Sequence, residues 1–199
     1  MKDINATVIV NLMGKEEEIL ANLHKDARWG INKAKREGLT VRESENWESF
    51  YPIYKQTMAE AGVSPIPLEV LKNNTKKLFI CEKDNKIIAG AGIWFADIYN
   101  KEIPRLYFNA SLKEYQSSQP NNLLYWECII WTKKQGYNEF DLGGYQIKAR
   151  GHLTGVNKFK EKWGKIVYFK KDYPIHKALG RKLVRNVWFF WWLNKKIRR

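Results

Sequence analysis

The feature that most constrains this chain is a change of hydrophobic period at its centre. From Lys77 to Leu112 the runs KLFICEKDNKIIAGAGIWFA and IPRLYFNASL are rich in β-branched and aromatic residues and are punctuated by short polar turns. Asp84-Asn85 marks a hairpin between the first two strands, and the polar stretch Tyr99 to Glu102 separates the second from the third. Gly90 and Gly92 allow the middle strand to bend or to admit a close neighbour. The three strands are expected to form an antiparallel meander.

Outside the meander the period becomes that of helices. Residues 14–38 place Ile19, Leu20, Leu23, Ala27, Ile31 and Ala34 at three-to-four spacing. Acidic Glu16 to Glu18 open this helix, basic Lys33 to Arg36 close it and Gly38 caps it, the order that the helix dipole favours, with one break expected near His24. A short strand at Thr7 to Val10 precedes it, and LTVRE reads as a strand after it. NWESFYPIYKQTMAEAG reads as a helix that holds Pro52 in its first turn, and PLEVLKNNTKK as a short helix beyond a proline-marked loop. After the meander, SSQPNN offers Ser and Asn caps and Pro120 to a helix that ends at Gly136. YNEFDLGG is a strand, LTGVNKFKEKWG a short helix, KIVYFKKDY a strand and residues 176–199 a basic, aromatic helix. The order predicts an α/β (α+β) fold with a mixed, mostly antiparallel sheet flanked by helices. Where antiparallel pairing gives way to strand-helix-strand, neighbouring strands are expected to splay and accept a ligand.

Charge sharpens the reading once it is located. The net charge of +14 comes wholly from residues 148–199, which hold sixteen basic and two acidic side chains. Segregation of one sign into a quarter of the chain points to a surface that attracts an anion: nucleic acid, pyrophosphate or acidic lipid. Cys81 and Cys128 lie in apolar runs without metal-ligand spacing, so reduced core thiols are expected and no metal. The opening MKDINATVIVN lacks the pattern of a signal peptide, and no apolar run approaches the ~20 residues of a membrane span, so a cytoplasmic protein is expected.

Two segments can carry chemistry. In FDLGGY, Asp141 ends a strand, and Gly143, Gly144 and Tyr145 form a turn that permits positive φ and close approach to a ligand; a self-capped turn accounts for the same residues. In KFKEKWG, Phe159 stands among Lys158, Lys160 and Lys162, a ring beside cations as a nucleotide requires, but Phe159 and Trp163 at i,i+4 fit a core contact equally. The histidines, His24, His152 and His176, are scattered, and no Ser/His/Asp or Cys/His arrangement supports a covalent intermediate.

Taken in order, ARWGINKAKREGLTVRE, FYPIYKQTMAEAG, KLFICEKDNKIIAGAGIWF, YFNASLKEYQSSQPNNLLYWECIIWTKKQGYNEFDLGG and GVNKFKEKWG resemble the Fem (FemABX) family of peptidoglycan bridge aminoacyltransferases, over nearly the whole chain. The resemblance implies a GNAT-like acyltransferase fold and transfer of an amino acid from aminoacyl-tRNA to an amine of a lipid-linked or nucleotide-linked cell-wall precursor. Members usually carry two such domains, and this chain resembles the second, which leaves three alternatives for the first: a second copy in a homodimer, a partner chain, or no replacement at all. The family's Phe-Lys pair, associated with the tRNA acceptor end, falls on Phe159 and Lys160. Its Thr-x-x-Arg-x-Gly pattern becomes Thr57, Glu60 and Gly62, without the arginine, and its Tyr-Gly-Ala-Ser becomes Phe108, Asn109, Ala110 and Ser111.

GNAT parentage also raises acetyl-CoA or another acyl-CoA as donor, with an amino sugar of a surface polysaccharide as acceptor. CoA-binding relatives need a glycine-rich turn at a helix N-terminus. This chain has YQSSQPNNLL there, where only amides such as those of Asn121 and Asn122 are available. Amine attack on an ester needs a placed nucleophile and a stabilised oxyanion. Lys160 is the expected cation and Asp141 the group that orients the amine or takes its proton, with Phe159, Gly143, Gly144, Tyr145, Asn109, Ser111, Asn121 and Lys158 binding substrate. A tRNA- or partner-binding protein without catalysis is the reading from another class. Residues 1–45 are expected to pack on a GNAT-like domain at 46–175. The helix at 176–199, with VWFFWWL between basic residues, suits either peripheral contact with the inner membrane face through 181–199 or packing on protein.

Overall fold

The computed structural model describes residues 4–98 and 101–170, and of residues 4, 96–98, 101 and 170 the backbone alone. The compact body of the chain runs from Asn5 to Tyr168. The expected helix at 176–199, with its membrane or partner surface, lies outside the described residues.

Seven strands form one sheet: β1 Ile4–Asn11, β2 Thr40–Ser44, β3 Lys77–Lys83, β4 Lys86–Ile98, β5 Lys101–Ser111, β6 Glu139–Tyr145 and β7 Lys165–Lys170, in the order β2-β3-β4-β5-β6-β1-β7. From β2 to β5 every pairing is antiparallel, as the central period predicts. Asp84 and Asn85 both take positive φ in the tight β3–β4 turn, the backbone that a two-residue hairpin of matching twist demands. The second and third strands are longer than expected, reaching Ile98 and beginning at Lys101, so Lys101 and Glu102 of the polar stretch belong to strand.

Helices α1 Glu16–Asn22, α2 Lys25–Arg36 and α5 Pro120–Lys134 accompany one apolar cluster, and α3 Trp47–Glu60 and α4 Leu68–Asn74 another. The break between α1 and α2 falls where expected, because His24 Nδ1 accepts the Asp26 N–H and starts a new helix. In the first cluster Phe79, Cys81, Ala91, Ile93 and Leu106 meet Leu124, Cys128 and Ile129 of α5. In the second, Leu78, Ile80, Phe108 and Ala110 meet Phe50, Ile53 and Tyr54 of α3. Successive strand residues therefore serve opposite faces, and each fully buried Phe or Ile contributes roughly 1.5–3 kcal/mol. The two strand glycines make room for rings: a Cβ on Gly90 would lie 2.5 Å from the Phe50 ring, and one on Gly92 2.3 Å from the Phe108 ring.

Two local expectations need correction. Pro52 sits in the second turn of α3, not the first, because Asn46 caps the helix and Trp47 begins it. The lost N–H of Pro52 is tolerated since the helix holds Phe50, Ile53 and Tyr54 in the core on either side of it. The Ser and Asn side chains of SSQPNN do not cap α5; Lys113–Ser118 is a 3-10 turn, and Gln119 in the left-handed region leads into Pro120 as the first helical residue. Gly136, with φ of +85°, follows the end of α5 as predicted.

Candidate active site

The switch from antiparallel to parallel pairing lies between β5 and β6, which meet at Arg105 opposite Asp141 with no further registered pair among the described residues. Each strand carries a bulge on its other side. Tyr107 is the extra residue where Gly92 pairs with Phe108 but Ile93 with Leu106, and Leu142 and Gly143 together oppose Val8 where Thr7 pairs with Gly144 but Ile9 with Asp141. Bulges bend and overtwist a strand, and one on each flank gives the junction its open end.

Along β6, Phe140 and Leu142 enter the core, and alternation sends Asp141 to the opposite face. Asp141 is fully buried there. Its Oδ1 accepts the Gly143 N–H at 2.7 Å and the hydroxyl of Thr7 on β1; Thr7 Oγ1 also lies 2.9 Å from the Gly143 carbonyl oxygen. Its Oδ2 has no hydrogen bond among the described residues and lies 3.4 Å from Arg105 Nε. Gly143 has φ of +80°, which its role in the bulge requires of glycine. The self-capped turn is thus real, and it is also tied to a second strand and a cation.

Helix α6, His152–Glu161, brings the Phe-Lys pair to this junction. Asn157 is clamped to the β6–α6 loop, accepting the Gln146 N–H at 3.2 Å and donating to the Gln146 carbonyl at 2.8 Å. Lys160 Nζ donates to the Gly144 carbonyl at 3.0 Å. Burial pulls its ammonium down to about 8, the nearby Arg105 adds to that, and Asp141 opposes it. Phe159 is half-buried, edge-on to Tyr125 at 5.0 Å and 6.0 Å from Trp163, so its ring has the core contact that the i,i+4 spacing allowed. The Tyr145 hydroxyl donates to Glu161 at 2.6 Å, while Lys158 is exposed.

The remaining expected residues lie farther along β5 and at the start of α5. Tyr125 Oη donates to Asn109 Oδ1 at 3.4 Å, which links Asn109 to the ring that carries Phe159. Asn121 Nδ2 donates to Ser111 Oγ at 3.2 Å, and Asn121 Oδ1 is buried without a partner among the described residues. In the first turn of α5, Pro120 has no N–H, and those of Asn122 and Leu123 are held by the Gln119 carbonyl. Asp141, Gly143, Gly144, Tyr145, Phe159 and Lys160 therefore gather at the junction. Asn109 joins through Tyr125, Ser111 and Asn121 form a separate polar pair, and Lys158 is placed apart. Sequence reasoning missed Thr7, Arg105 and Tyr125. A lone arginine after proline in the apolar run IPRLYF was the available signal for Arg105.

A seven-stranded mixed sheet that changes from antiparallel to parallel pairing at an open junction, with helices on both faces, is the GNAT-like acyltransferase fold. Among solved structures, FemX matches with a TM-score of 0.70 at 15% identity, over 83% of this chain and 60% of that one. The C-terminal domain assigned to a lysylphosphatidylglycerol synthetase of Agrobacterium fabrum matches with a TM-score of 0.59 at 14% identity, over 82% of this chain and 58% of that one. A GCN5-related glucosamine N-acetyltransferase region of a fungal multi-domain β-N-acetylglucosaminidase matches with a TM-score of 0.53 at 13% identity, over 63% of this chain and 17% of that one. The chain spans about six-tenths of the length of the first two. No protein-family model matches the sequence, and no curated protein does. The Fem-like fold expected from the sequence is therefore present, at a level of identity that speaks for fold. Among the described residues no helix is long and apolar enough to cross a membrane.

Proposed function

We propose that this chain is an acyltransferase that moves an aminoacyl group from aminoacyl-tRNA to an amine of a cell-wall precursor. The observation that carries the reading is the placement of Lys160 at the open β5–β6 junction, beside Arg105 and the buried Asp141, in a fold shared with FemX over 83% of the chain. In the reaction the acceptor amine attacks the ester carbonyl and a tetrahedral oxyanion forms. The C–O bond to the ribose then breaks, and the proton lost by the amine ends on the ribose hydroxyl. Lys160 in its ammonium form supplies positive charge where the oxyanion develops, the kind of placed electrostatic stabilisation that lowers such barriers most. Asp141 holds Arg105 and the Gly143 turn in place. This makes it a positioning residue, a narrower role than taking the amine proton directly, because Oδ1 is occupied by Thr7 and Gly143 and Oδ2 is fully buried beside Arg105.

The start of α5 favours tRNA over CoA as donor. A pyrophosphate arm needs several bare N–H groups at a helix N-terminus, and here proline and the Gln119 carbonyl leave only that of Asn121. The test is transfer from radiolabelled aminoacyl-tRNA, and separately from acetyl-CoA, to a muropeptide amine and to an amino sugar. Label from aminoacyl-tRNA on the muropeptide, lost in Lys160→Ala, supports the reading. Transfer from acetyl-CoA alone, or transfer unaffected by Lys160→Ala, refutes it.

A further inference from the structure

Helix α2 buries Ala27, Gly30, Ile31 and Ala34 along one stripe. At about 3.6 residues per turn the opposite, outermost stripe is Lys25, Trp29, Asn32 and Arg36, with Lys33 at its margin. Trp29 is 53% exposed there, an indole where an amphipathic helix ordinarily carries a polar side chain. Lys33 Nζ lies 5.3 Å from the centre of its ring, and Lys25 and Arg36 are exposed one turn before and two turns after it. Asp26, the one acid in α2, is neutralised by Lys162 at 3.2 Å, and Glu37 just past its end is shared between Lys33 and Lys83, each at 3.6 Å. The stripe also borders the candidate site. At the start of α2 the His24 N–H donates to the Lys162 carbonyl at 3.0 Å, which joins α2 to the end of α6. In its middle a Cβ on Gly30 would stand 2.6 Å from the Asn122 side chain, so α2 rests directly on the first turn of α5. Trp29 thus stands on the helix that bridges the end of α6, with Phe159 and Lys160, and the start of α5.

We propose that Trp29, with Lys25, Lys33 and Arg36, is a stacking platform for an unpaired base of RNA, by which α2 holds the RNA end of the donor beside the junction. One ring among cations suits single-stranded RNA better than a bilayer or a protein surface. An interfacial helix turns several apolar side chains to lipid, and a protein-docking patch is contiguous, whereas the neighbours of Trp29 on its stripe are Lys25, Asn32 and Arg36. A base needs a single flat ring to stack on, and the phosphates on either side of it need cations about a turn away. In a duplex the faces of the bases are covered by their neighbours, so the platform selects an unpaired stretch. This role rests on the aminoacyl-tRNA reading and adds a contact remote from the reacting bonds. It is measured by binding without turnover, so the two can fail separately.

The experiment is fluorescence anisotropy of the full chain with a labelled RNA hairpin that ends in an unpaired ACCA tail and with the same hairpin lacking the tail, beside co-sedimentation with phosphatidylglycerol vesicles. At about 0.2 M salt the general attraction of the basic residues 148–199 is weakened, and what remains is common to all variants. Trp29→Ala should weaken binding of the tailed hairpin roughly five- to a hundredfold, the range of one lost base–ring stack, and leave the untailed hairpin within about twofold. Trp29→Phe, which keeps a ring, should recover most of the affinity. Arg36→Gln should weaken binding and flatten its dependence on salt. Far-UV circular dichroism checks that each variant is folded, and Arg36→Gln keeps the test open if the alanine variant is not. Equal affinity of the parent and Trp29→Ala for the tailed hairpin overturns the proposal, as does an equal loss for both hairpins or attachment to vesicles through Trp29 in place of RNA.

Discussion

Thr7→Val isolates the contribution of one hydroxyl to the candidate site. Valine keeps the shape and strand preference of threonine, so β1 should pair as before and the change is confined to Oγ1. That hydroxyl is buried with the side chain of Asp141 and the Gly143 carbonyl oxygen as its acceptors. A hydrogen bond to a buried charged group contributes about 1.5–3 kcal/mol. Because Asp141 Oδ1 keeps the Gly143 N–H at 2.7 Å, the carboxylate is not orphaned and the lower half of that range applies. The expected loss is about 2 kcal/mol, equivalent to roughly 4–8 °C in Tm for a chain of this size. Urea unfolding followed by tryptophan fluorescence measures it, with an unchanged m-value showing that the unfolded state is not altered. Thr7→Ser, which keeps the hydroxyl and loses a methyl, should cost about 1 kcal/mol. If the valine variant is as stable as the parent, or the serine variant loses more than the valine variant, the hydroxyl is not what ties β1 to β6 and the account of how Asp141 is held is wrong.

The ammonium of Lys160 titrates near 8 rather than 10.5 in the folded chain, so between those values the unfolded chain binds more protons. The lysine therefore adds stability as pH rises across that window, while Cys81 and Cys128, whose thiols burial pushes up, remove it above about 9; the difference in urea midpoint between the parent and Lys160→Met, followed from pH 7.5 to 10.5, isolates the lysine and should grow in the parent's favour. Transfer that uses the ammonium should fall as pH passes about 8, and a pH–rate profile rising through that value would assign Lys160 as a base instead. Gly90→Ala places a Cβ 2.5 Å from the Phe50 ring and should cost about 1–3 kcal/mol by overpacking, read from its urea midpoint. Cys81 and Cys128 are both fully buried, with burial pushing Cys81 up to about 12 and Cys128 upward as well. Neither should react with a thiol reagent at pH 8 until denaturant opens the core, and fast native labelling would contradict the packing of β3 against α5.

What the sequence made legible follows from how local each signal is. The His24 break, the Asp84-Asn85 turn and the Gly136 stop are set by neighbouring residues, and each occurs where the pattern places it. The antiparallel meander and the switch in strand direction were legible for the same reason, since period and element order are properties of contiguous segments. Pro52 lies a turn deeper than expected because Asn46 caps α3 and Trp47 begins it. Asp141, Gly143 and Lys160 could be singled out by residue type, but Thr7 and Arg105 could not be joined to them. Thr7 and Asp141 are 134 residues apart, and only the insertion of β1 beside β6 brings them together. The short pattern at Thr7 to Val10 gives a strand and says nothing of its neighbours.

That insertion also has a kinetic consequence. β1 precedes the other described strands of the sheet, yet its hydrogen-bonding partners on either side are β6 and β7, the last two strands among the described residues. The β2–β5 meander can close from nearby segments while β1 waits, and pairings of such long sequence separation are the slow ones. The surroundings of Asp141 should accordingly be the last part of the body to acquire native order, and until then Val8 and Val10 remain available to wrong partners or to a chaperone.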